Sequence, residues 1–272
     1  FLNDGAGKFT KLYEFSKGDN ERLFAAAADV NNDGMTDFVI ELGDNQPTVV
    51  LNPLENKHIY KANFGGDNLL GSVSADTFYD GDGSDVINGG LGVDTCVYSG
   101  SSSSCAITHN ADNSTTIKIS SLTDTLTSIE RLQFSDKKIA LDVTSTGNTG
   151  KALEFIGAIA YNLVSDKATI GEIQSYFDAG YSMTQICQIA VNVGLTSNLA
   201  GSKSNADLAK LVLKNVIGTT PSAADIDALT AYMDGRVASM SQSDFLSTIA
   251  TLAVNDTHIN LVGLASTGVE YV

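Results

Sequence analysis

Aspartates at a strict nine-residue interval constrain the fold of this chain more than any other feature of its sequence. A glycine or serine stands two positions before each aspartate, and an apolar or cysteine side chain stands two positions after it. Self-similarity at a short fixed period indicates a coil whose repeats stack and share one core. The aspartates in register are Asp67, Asp76, Asp85 and Asp94.

Three kinds of residue in each repeat have separate structural roles. Glycine lets the chain turn sharply and aim its carbonyl groups inward, aspartate supplies a hard oxygen ligand, and the next short strand buries its apolar side chain. If two repeats make one coil turn, Asp67 lies beside Asp85, and Asp76 beside Asp94, at about the 5 Å strand spacing. Carboxylates about 5 Å apart repel by roughly 3 kcal/mol at an effective dielectric constant of about 20. A divalent cation between coil turns reverses the sign of that energy, so we expect Ca²⁺.

The repeats resemble the RTX (hemolysin-type) nonapeptide, most closely in residues 80–88 and 89–97. That resemblance implies a short parallel β-roll that binds Ca²⁺ in its loops. The earlier copies lack paired glycines, so we expect about one to three ions. Glycine and aspartate turns without any metal remain the alternative. The candidate ligands are Asp76, Asp80, Asp82, Asp85, Gly90, Gly92 and Asp94.

A second acidic loop lies nearer the N-terminus and fits the first part of an EF-hand-like calcium loop, although the acidic ligand at loop position 12 is absent. The loop resembles an FG-GAP or VCBS repeat of secreted β-propellers, and it is also similar to a stretch in the C-terminal domain of serralysin-type metalloproteases. A metal-free Asx turn is the alternative reading, since Asn and Asp favour turns without an ion. Its candidate ligands are Asp29, Asn31, Asp33 and Asp37.

The chain as a whole is predicted to be α+β, with a mainly β N-terminal half and an all-α C-terminal half. Residues 1–60 form the FG-GAP-like β segment, 61–143 the roll with its capping strands, 144–150 a linker, and 151–272 a small helical bundle. Residues 124–136 resemble the strand pair that closes an RTX roll, and the helical part resembles a domain of unknown function that follows RTX repeats.

Helix signals appear only after residue 150. Ser182, Ser222 and Ser241 each stand three residues before a polar partner, as N-caps do. A helix over residues 183–193 is predicted to end at Gly194 and to place apolar residues on one face. These residues are Ile186, Ile189, Ala190 and Val193.

Charge and hydropathy exclude two classes of partner. The chain has 32 acidic and 16 basic residues, a net charge of −16, which argues against nucleic acid and anionic lipid. It contains no run of 18 apolar residues, so membrane insertion is not expected. Its first residues show neither an initiator Met nor a signal peptide, so we expect the chain to begin inside a longer protein.

The three cysteines leave two readings open. Cys96 and Cys105 lie nine residues apart, and a disulfide between them suits an oxidising compartment. Cys187 then remains as a buried free thiol in a helical pattern. Three reduced cysteines are the alternative.

Catalytic motifs are missing from the sequence. It contains no H-E-x-x-H, no G-x-S-x-G and no phosphate-binding glycine loop, and we expect no catalytic residues. We therefore expect a secreted, non-catalytic, calcium-binding C-terminal region of a bacterial protein that folds on Ca²⁺ after type I export. Its role would be surface attachment or assembly, as in an adhesin or surface layer, with other protein chains or cell-surface glycans as partners. The alternative is the corresponding region of a secreted hydrolase such as a serralysin-like metalloprotease.

Overall fold

The computed structural model describes residues 59–62 and 65–272 in full, and before them the backbone of five strands. β1 pairs antiparallel with β2, while β3, β4 and β5 form an antiparallel meander. The prediction that residues 1–60 are mainly β agrees with these strands, which include β2 at Phe9 and β4 at Phe38. The five strands are β1 (Leu2–Asn3), β2 (Phe9–Thr10), β3 (Leu23–Ala28), β4 (Asp37–Leu42) and β5 (Pro47–Val50).

The next five strands alternate between two sheets. β6, β8 and β10 pair in parallel in one sheet, and β7 and β9 continue in parallel from β5 in the other. Phe78 faces Cys96 in the first sheet, and Leu69 faces Ile87 in the second, so paired positions are two repeats apart. Strands two repeats apart therefore lie side by side in each sheet. The strands are β6 (Ile59–Lys61), β7 (Asn68–Leu70), β8 (Thr77–Tyr79), β9 (Val86–Asn88) and β10 (Thr95–Val97).

The space between the two sheets is filled by the middle residue of each short strand. Because side chains alternate along a strand, the flanking residues point outward, and several of them are exposed. Tyr60 and Phe78 stack with ring centroids 4.4 Å apart. Each large side chain buried here stabilises the fold by about 1.5–3 kcal/mol relative to exposure. The inward set includes Tyr60, Leu69, Phe78, Ile87, Cys96, Leu126 and Leu132.

Five further strands follow the repeats. β13 pairs in parallel with β9, and β14 with β10, so the segment predicted to close the coil adds one more strand to each sheet. β11 and β12 extend the sheet of β9 and β13 by antiparallel pairing, and β15 extends the sheet of β10 and β14 in the same way. The strands are β11 (Cys105–His109), β12 (Thr115–Ile119), β13 (Leu122–Thr127), β14 (Arg131–Gln133) and β15 (Lys138–Ala140).

The second half is helical, so the α+β class is confirmed. The predicted N-caps are present, since the side chains of Ser182, Ser222 and Ser241 each accept a hydrogen bond from the amide three residues later. The helices are α1 (Asn148–Ala160), α2 (Lys167–Asp178), α3 (Met183–Asn192), α4 (Leu195–Ala200), α5 (Asn205–Ile217), α6 (Ala223–Met233), α7 (Gln242–Ala250), α8 (Ala253–His258) and α9 (Leu261–Thr267).

α1 is the central helix of this half and is buried on all sides from Ala152 to Ala160. It begins at Asn148, inside the segment predicted as a linker. α3 ends before Gly194, which has φ +78°, as predicted. Of the apolar residues predicted on one face of α3, Ile186 and Ala190 are buried. Ile189 is 37% exposed and Val193 is 69% exposed, so this apolar face is only partly covered.

A final strand, β16 (Val269–Tyr271), corrects the expectation that the C-terminal half is all helical. It pairs antiparallel with β15, so the end of the chain returns to the sheet. Glu270 on this strand forms ion pairs with Lys137 and Lys167. Among the helices of the described residues, none is long and apolar enough to cross a membrane.

Candidate metal centre

Two ladders of carboxylates follow the edges of the stacked coil turns. In the first, Asp67, Asp85 and Asp124 lie on the neighbouring strands β7, β9 and β13 or directly before them. The second ladder has its members immediately before β8, β10 and β14. Parallel stacking brings each acid beside the next because every repeat places it at the same register position. The second ladder consists of Asp76, Asp94 and Glu130.

Hydrogen bonds between main chain and carboxylate fix both ladders. The amide of Asp67 donates to Oδ1 of Asp85 at 2.8 Å, and the amide of Asp85 donates to Oδ1 of Asp124 at 3.0 Å. The second ladder repeats this arrangement. The amide of Asp76 donates to Oδ1 of Asp94 at 2.7 Å, and the amide of Asp94 donates to Oε2 of Glu130 at 2.8 Å. The predicted juxtaposition of Asp67 with Asp85 and of Asp76 with Asp94 is confirmed.

The second oxygen of two central acids has no protein partner. Oδ2 of Asp85 and Oδ2 of Asp94 are buried and accept no hydrogen bond from any residue that the structure describes, and both residues are 0% exposed. Burial raises the pKa of Asp94 to about 8, although the hydrogen bond from the Asp76 amide lowers it. The Glu130 and Asp76 carboxylates add to the rise. A buried anionic oxygen without a partner is costly, so these two atoms are the candidate ligands for a cation.

The loops between strands bring main-chain carbonyl groups close to the ladders. A Cβ on Gly89 would lie 2.0 Å from the carbonyl oxygen of Ser128 and 2.5 Å from Oδ2 of Asp94. One on Gly71 would lie 2.0 Å from the Gly89 carbonyl oxygen. These contacts leave room only for glycine, and they set carbonyl and carboxylate oxygens side by side as a hard cation requires.

Gly90 and Gly92, two predicted ligands, lie in the same loop. They have φ +93° and +129°, which favour glycine, and each packs against the main chain of residues 72–75 in the loop one coil turn earlier. The amide of Leu91 donates to the carbonyl of Ser72 at 3.0 Å, so the two loops are held in contact.

A compact group of three carboxylates lies at one end of the first ladder. Asp80, Asp85 and Asp124 each offer an oxygen within 4.8 Å of the others. Burial raises the pKa of Asp80 to about 7, and the nearby Asp124 adds to the rise. The hydroxyl of Tyr98 donates to Oδ2 of Asp124 at 3.1 Å and orients that side chain. Asp80, Asp82 and Asp124 line an open cavity of about 480 Å³, which gives an ion a path from solvent.

The predicted ligands fall into two places: Asp80 and Asp85 lie together with Asp124, while Asp76 and Asp94 lie together in the second ladder. Asp82 lies in the cavity wall and not in the compact group. Sequence reasoning missed Asp124 and Glu130, which end the two ladders. The available signal was an acid within the closing segment 124–136, but its pairing with a repeat appears only in the strand register. Of the N-terminal loop, Asp29, Asn31 and Asp33 lie outside the described residues, and for Asp37 only the backbone at the start of β4 is described.

The cysteines do not form the bridge that was considered. Cys96 and Cys105 are both free; Cys96 is buried between the two sheets, and Cys105 lies on β11 and packs against the same core. The Cys105 thiol donates instead to the carbonyl of Ser102. Burial raises the pKa of Cys96 far above its usual range. Cys187 is a buried free thiol in the helical core, as predicted.

Comparisons with known proteins add no assignment. The sequence matches no protein-family model, and no curated protein matches it.

Proposed function

We propose that this chain is a non-catalytic calcium-binding module whose stacked strands form a short parallel β-roll of the RTX type. The observation on which the proposal depends is the pair of buried, unpartnered oxygens, Oδ2 of Asp85 and Oδ2 of Asp94. Each lies in a ladder of carboxylates flanked by main-chain carbonyl groups. The groups available are oxygen ligands, and Ca²⁺ takes about six to eight of these in flexible geometry.

The clustering of negative charge supports a bound divalent cation. Asp80, Asp85 and Asp124 place three acids within a few ångströms of each other, and Asp76, Asp94 and Glu130 repeat that density of charge. Without a cation, such groups must take up protons or repel each other. An ion bound between coil turns lets them stay ionised and replaces repulsion with attraction. Mg²⁺ suits the loops less because it demands strict octahedral geometry and keeps its water.

Calcium binding of this kind makes folding depend on the Ca²⁺ concentration around the protein. Any ligand that binds only the folded state adds about 2.7 kcal/mol of stability at one hundred times its dissociation constant. We propose that the acidic repeats stay unfolded at low cellular Ca²⁺ and fold after type I export. The folded module would then serve in surface attachment or assembly, with other protein chains or cell-surface glycans as partners.

The alternative, the calcium-binding C-terminal region of a secreted hydrolase, uses the same chemistry. It differs in what precedes the chain, where a zinc-binding H-E-x-x-H would identify a metalloprotease. The absence of a catalytic motif in these residues leaves the non-catalytic role as the leading proposal.

The test is calcium titration of the purified chain, with bound ions counted by native mass spectrometry and folding followed by circular dichroism. We expect ions to bind and β-structure to increase with Ca²⁺. Asp85→Asn and Asp94→Asn should each lower the ion count, while Asp227→Asn, at a 71% exposed side chain, should leave it unchanged. An ion count of zero for the parent chain, with a spectrum that does not respond to Ca²⁺, contradicts the proposal.

A further inference from the structure

A group of buried oxygens lies in the helical half, away from both ladders. Glu154 on α1 is 1% exposed, and neither of its carboxylate oxygens accepts a hydrogen bond. Oδ1 of Asn255 and Oδ1 of Asp256 on α8 are also buried and have no hydrogen-bond partner. Four acceptor atoms without a donor are thus present on two packed helices, where each costs free energy if it stays unpaired.

The orientation of Asn255 is fixed by its own amide nitrogen. Nδ2 donates to the carbonyl of Glu154 at 2.8 Å and to the carbonyl of Ala250 at 2.7 Å. Both donor positions are used, so exchanging the amide oxygen and nitrogen would break two hydrogen bonds. Oδ1 faces α1 one helical turn beyond Glu154, since a Cβ on Gly157 would lie 2.9 Å from it. The side chain therefore aims an unpartnered oxygen at the surface of α1 on the same side as Glu154.

The charges at this place are negative. Burial raises the pKa of Glu154 to about 8, and the neighbouring carboxyl group of Asp256 raises it further through its charge and through a hydrogen bond between the two side chains. Lys151, one turn earlier on α1, acts in the opposite direction, but no ion pair joins it to Glu154 within the part of the chain that the structure describes.

A shared proton resolves only part of this arrangement. If Glu154 is protonated, it can donate to Asp256, which satisfies one oxygen on each side. The other oxygen of Glu154 and Oδ1 of Asn255 then still lack a partner. A cation beside the two carboxylates compensates the charge of both acids and takes oxygens that a shared proton leaves unpaired.

We propose that Glu154, Asn255 and Asp256 form a cation site in the helical half, separate from the repeats, and that it takes Ca²⁺. The Glu154 carboxylate, Oδ1 of Asn255 and Oδ1 of Asp256 supply four oxygens. Water completes the shell from the side of Asp256, whose residue is only partly buried. Two carboxylates favour a divalent ion over Na⁺, and the mixed carboxylate and amide oxygens are ligands that Ca²⁺ accepts. Because none of these residues belongs to a repeat, the site does not depend on the function proposed for the ladders.

Native mass spectrometry of the full chain in Ca²⁺ tests this site, together with thermal unfolding in the presence and absence of Ca²⁺. Glu154→Gln keeps the size of the side chain but removes the charge, and Glu172→Gln is the matched control at an exposed position on the neighbouring helix α2. We expect the Glu154 variant to bind one ion fewer than the parent chain and the Glu172 variant to bind the same number. Asp94→Asn should lose ions from the repeats while keeping the one that depends on Glu154.

A substitute variant and two outcomes complete the test of the cation site. If Glu154→Gln fails to fold, Asp256→Asn replaces it, since this residue lies at the partly exposed edge of the site. An unchanged ion count in the folded variant, with an unfolding temperature raised equally with and without Ca²⁺, overturns the proposal and assigns a shared proton instead. A parent chain whose only ion depends on Glu154 would support this site while contradicting the proposal for the repeats.

Discussion

The main-chain amide of Asp85 donates a hydrogen bond of 3.0 Å to Oδ1 of Asp124, which lies 39 residues later in the sequence. Asp124 also accepts from the hydroxyl of Tyr98 through Oδ2, at 3.1 Å. Its carboxylate therefore takes, on β13, the position that an aspartate takes in each earlier repeat of the ladder. Asp124 adds a negative charge beside Asp80 and Asp85 that the repeat pattern alone does not predict.

Asp124→Asn should separate binding from folding in the absence of metal. The amide oxygen can still accept from Asp85, but the charge is lost, so we expect calcium affinity to fall about tenfold, or about 1.4 kcal/mol. In calcium-free buffer the repeats of the same variant should shift toward the folded state relative to the parent chain, because repulsion among the three acids is reduced. Calorimetric titration and urea unfolding measure the two effects, with Asp227→Asn as the control. A variant with parent affinity would remove Asp124 from the site.

The calcium-free protein should lose stability as pH rises. The folded-state pKa values of Asp80 and Asp94, about 7 and about 8, lie above the ordinary aspartate value of 3.8. The folded state therefore binds protons more tightly than the unfolded state, and the resulting stability is complete below 3.8 and lost as pH rises through about 8. Saturating Ca²⁺ holds the acids ionised and should remove this decline. Urea midpoints from about pH 5 to about pH 8 test it, and a calcium-free midpoint that rises over this window would contradict it.

Gly89→Ala should prevent the loops from stacking. The added Cβ would lie 2.0 Å from the Ser128 carbonyl oxygen and 2.5 Å from Oδ2 of Asp94, neither of which can move without breaking the ladder. We expect a loss of about 1–3 kcal/mol or more, and weaker calcium binding. Gly100→Ala is the matched control, because there the Cβ meets only the Ser104 hydroxyl, at 3.3 Å. Equal unfolding midpoints for the two variants would refute the close approach at Gly89.

Arg131 joins the strands to the helices, and its removal should destabilise both. The guanidinium is 3% exposed and pairs with Asp142 and, at 2.8 Å, with Asp178 at the end of α2. Arg131→Met leaves two acids without their partner, at an expected cost of about 3–5 kcal/mol. Arg236→Met removes exposed ion pairs and should cost about 0–1 kcal/mol. Thermal unfolding compares the two, and a small effect at Arg131 would show that the halves are held mainly by the pairing of β15 with β16.

Local chemistry made several features predictable from the sequence. The nine-residue spacing predicted that Asp67 would lie beside Asp85, because a coil of two repeats per turn leaves only one register. Ser182 and Gly194 predicted the two ends of α3, since capping depends on residues within one helical turn. The exposure of Ile189 and Val193 was not predictable in this way, because the spacing of apolar residues does not tell which of them a neighbouring helix covers.

The sequence by itself determined the period of the coil, the inward strand residues, the helix caps and most of the acids that line the ladders. Only the tertiary structure decided which acids end the ladders, that Cys96 and Cys105 are free thiols, and that Val269–Tyr271 returns to the sheet. It also brought Glu154 to Asn255 and Asp256 across a separation of about one hundred residues. The physical reason is the distance along the sequence over which each interaction acts. Propensities, caps and repeats act over a few residues, whereas pairing between distant segments depends on how whole elements pack.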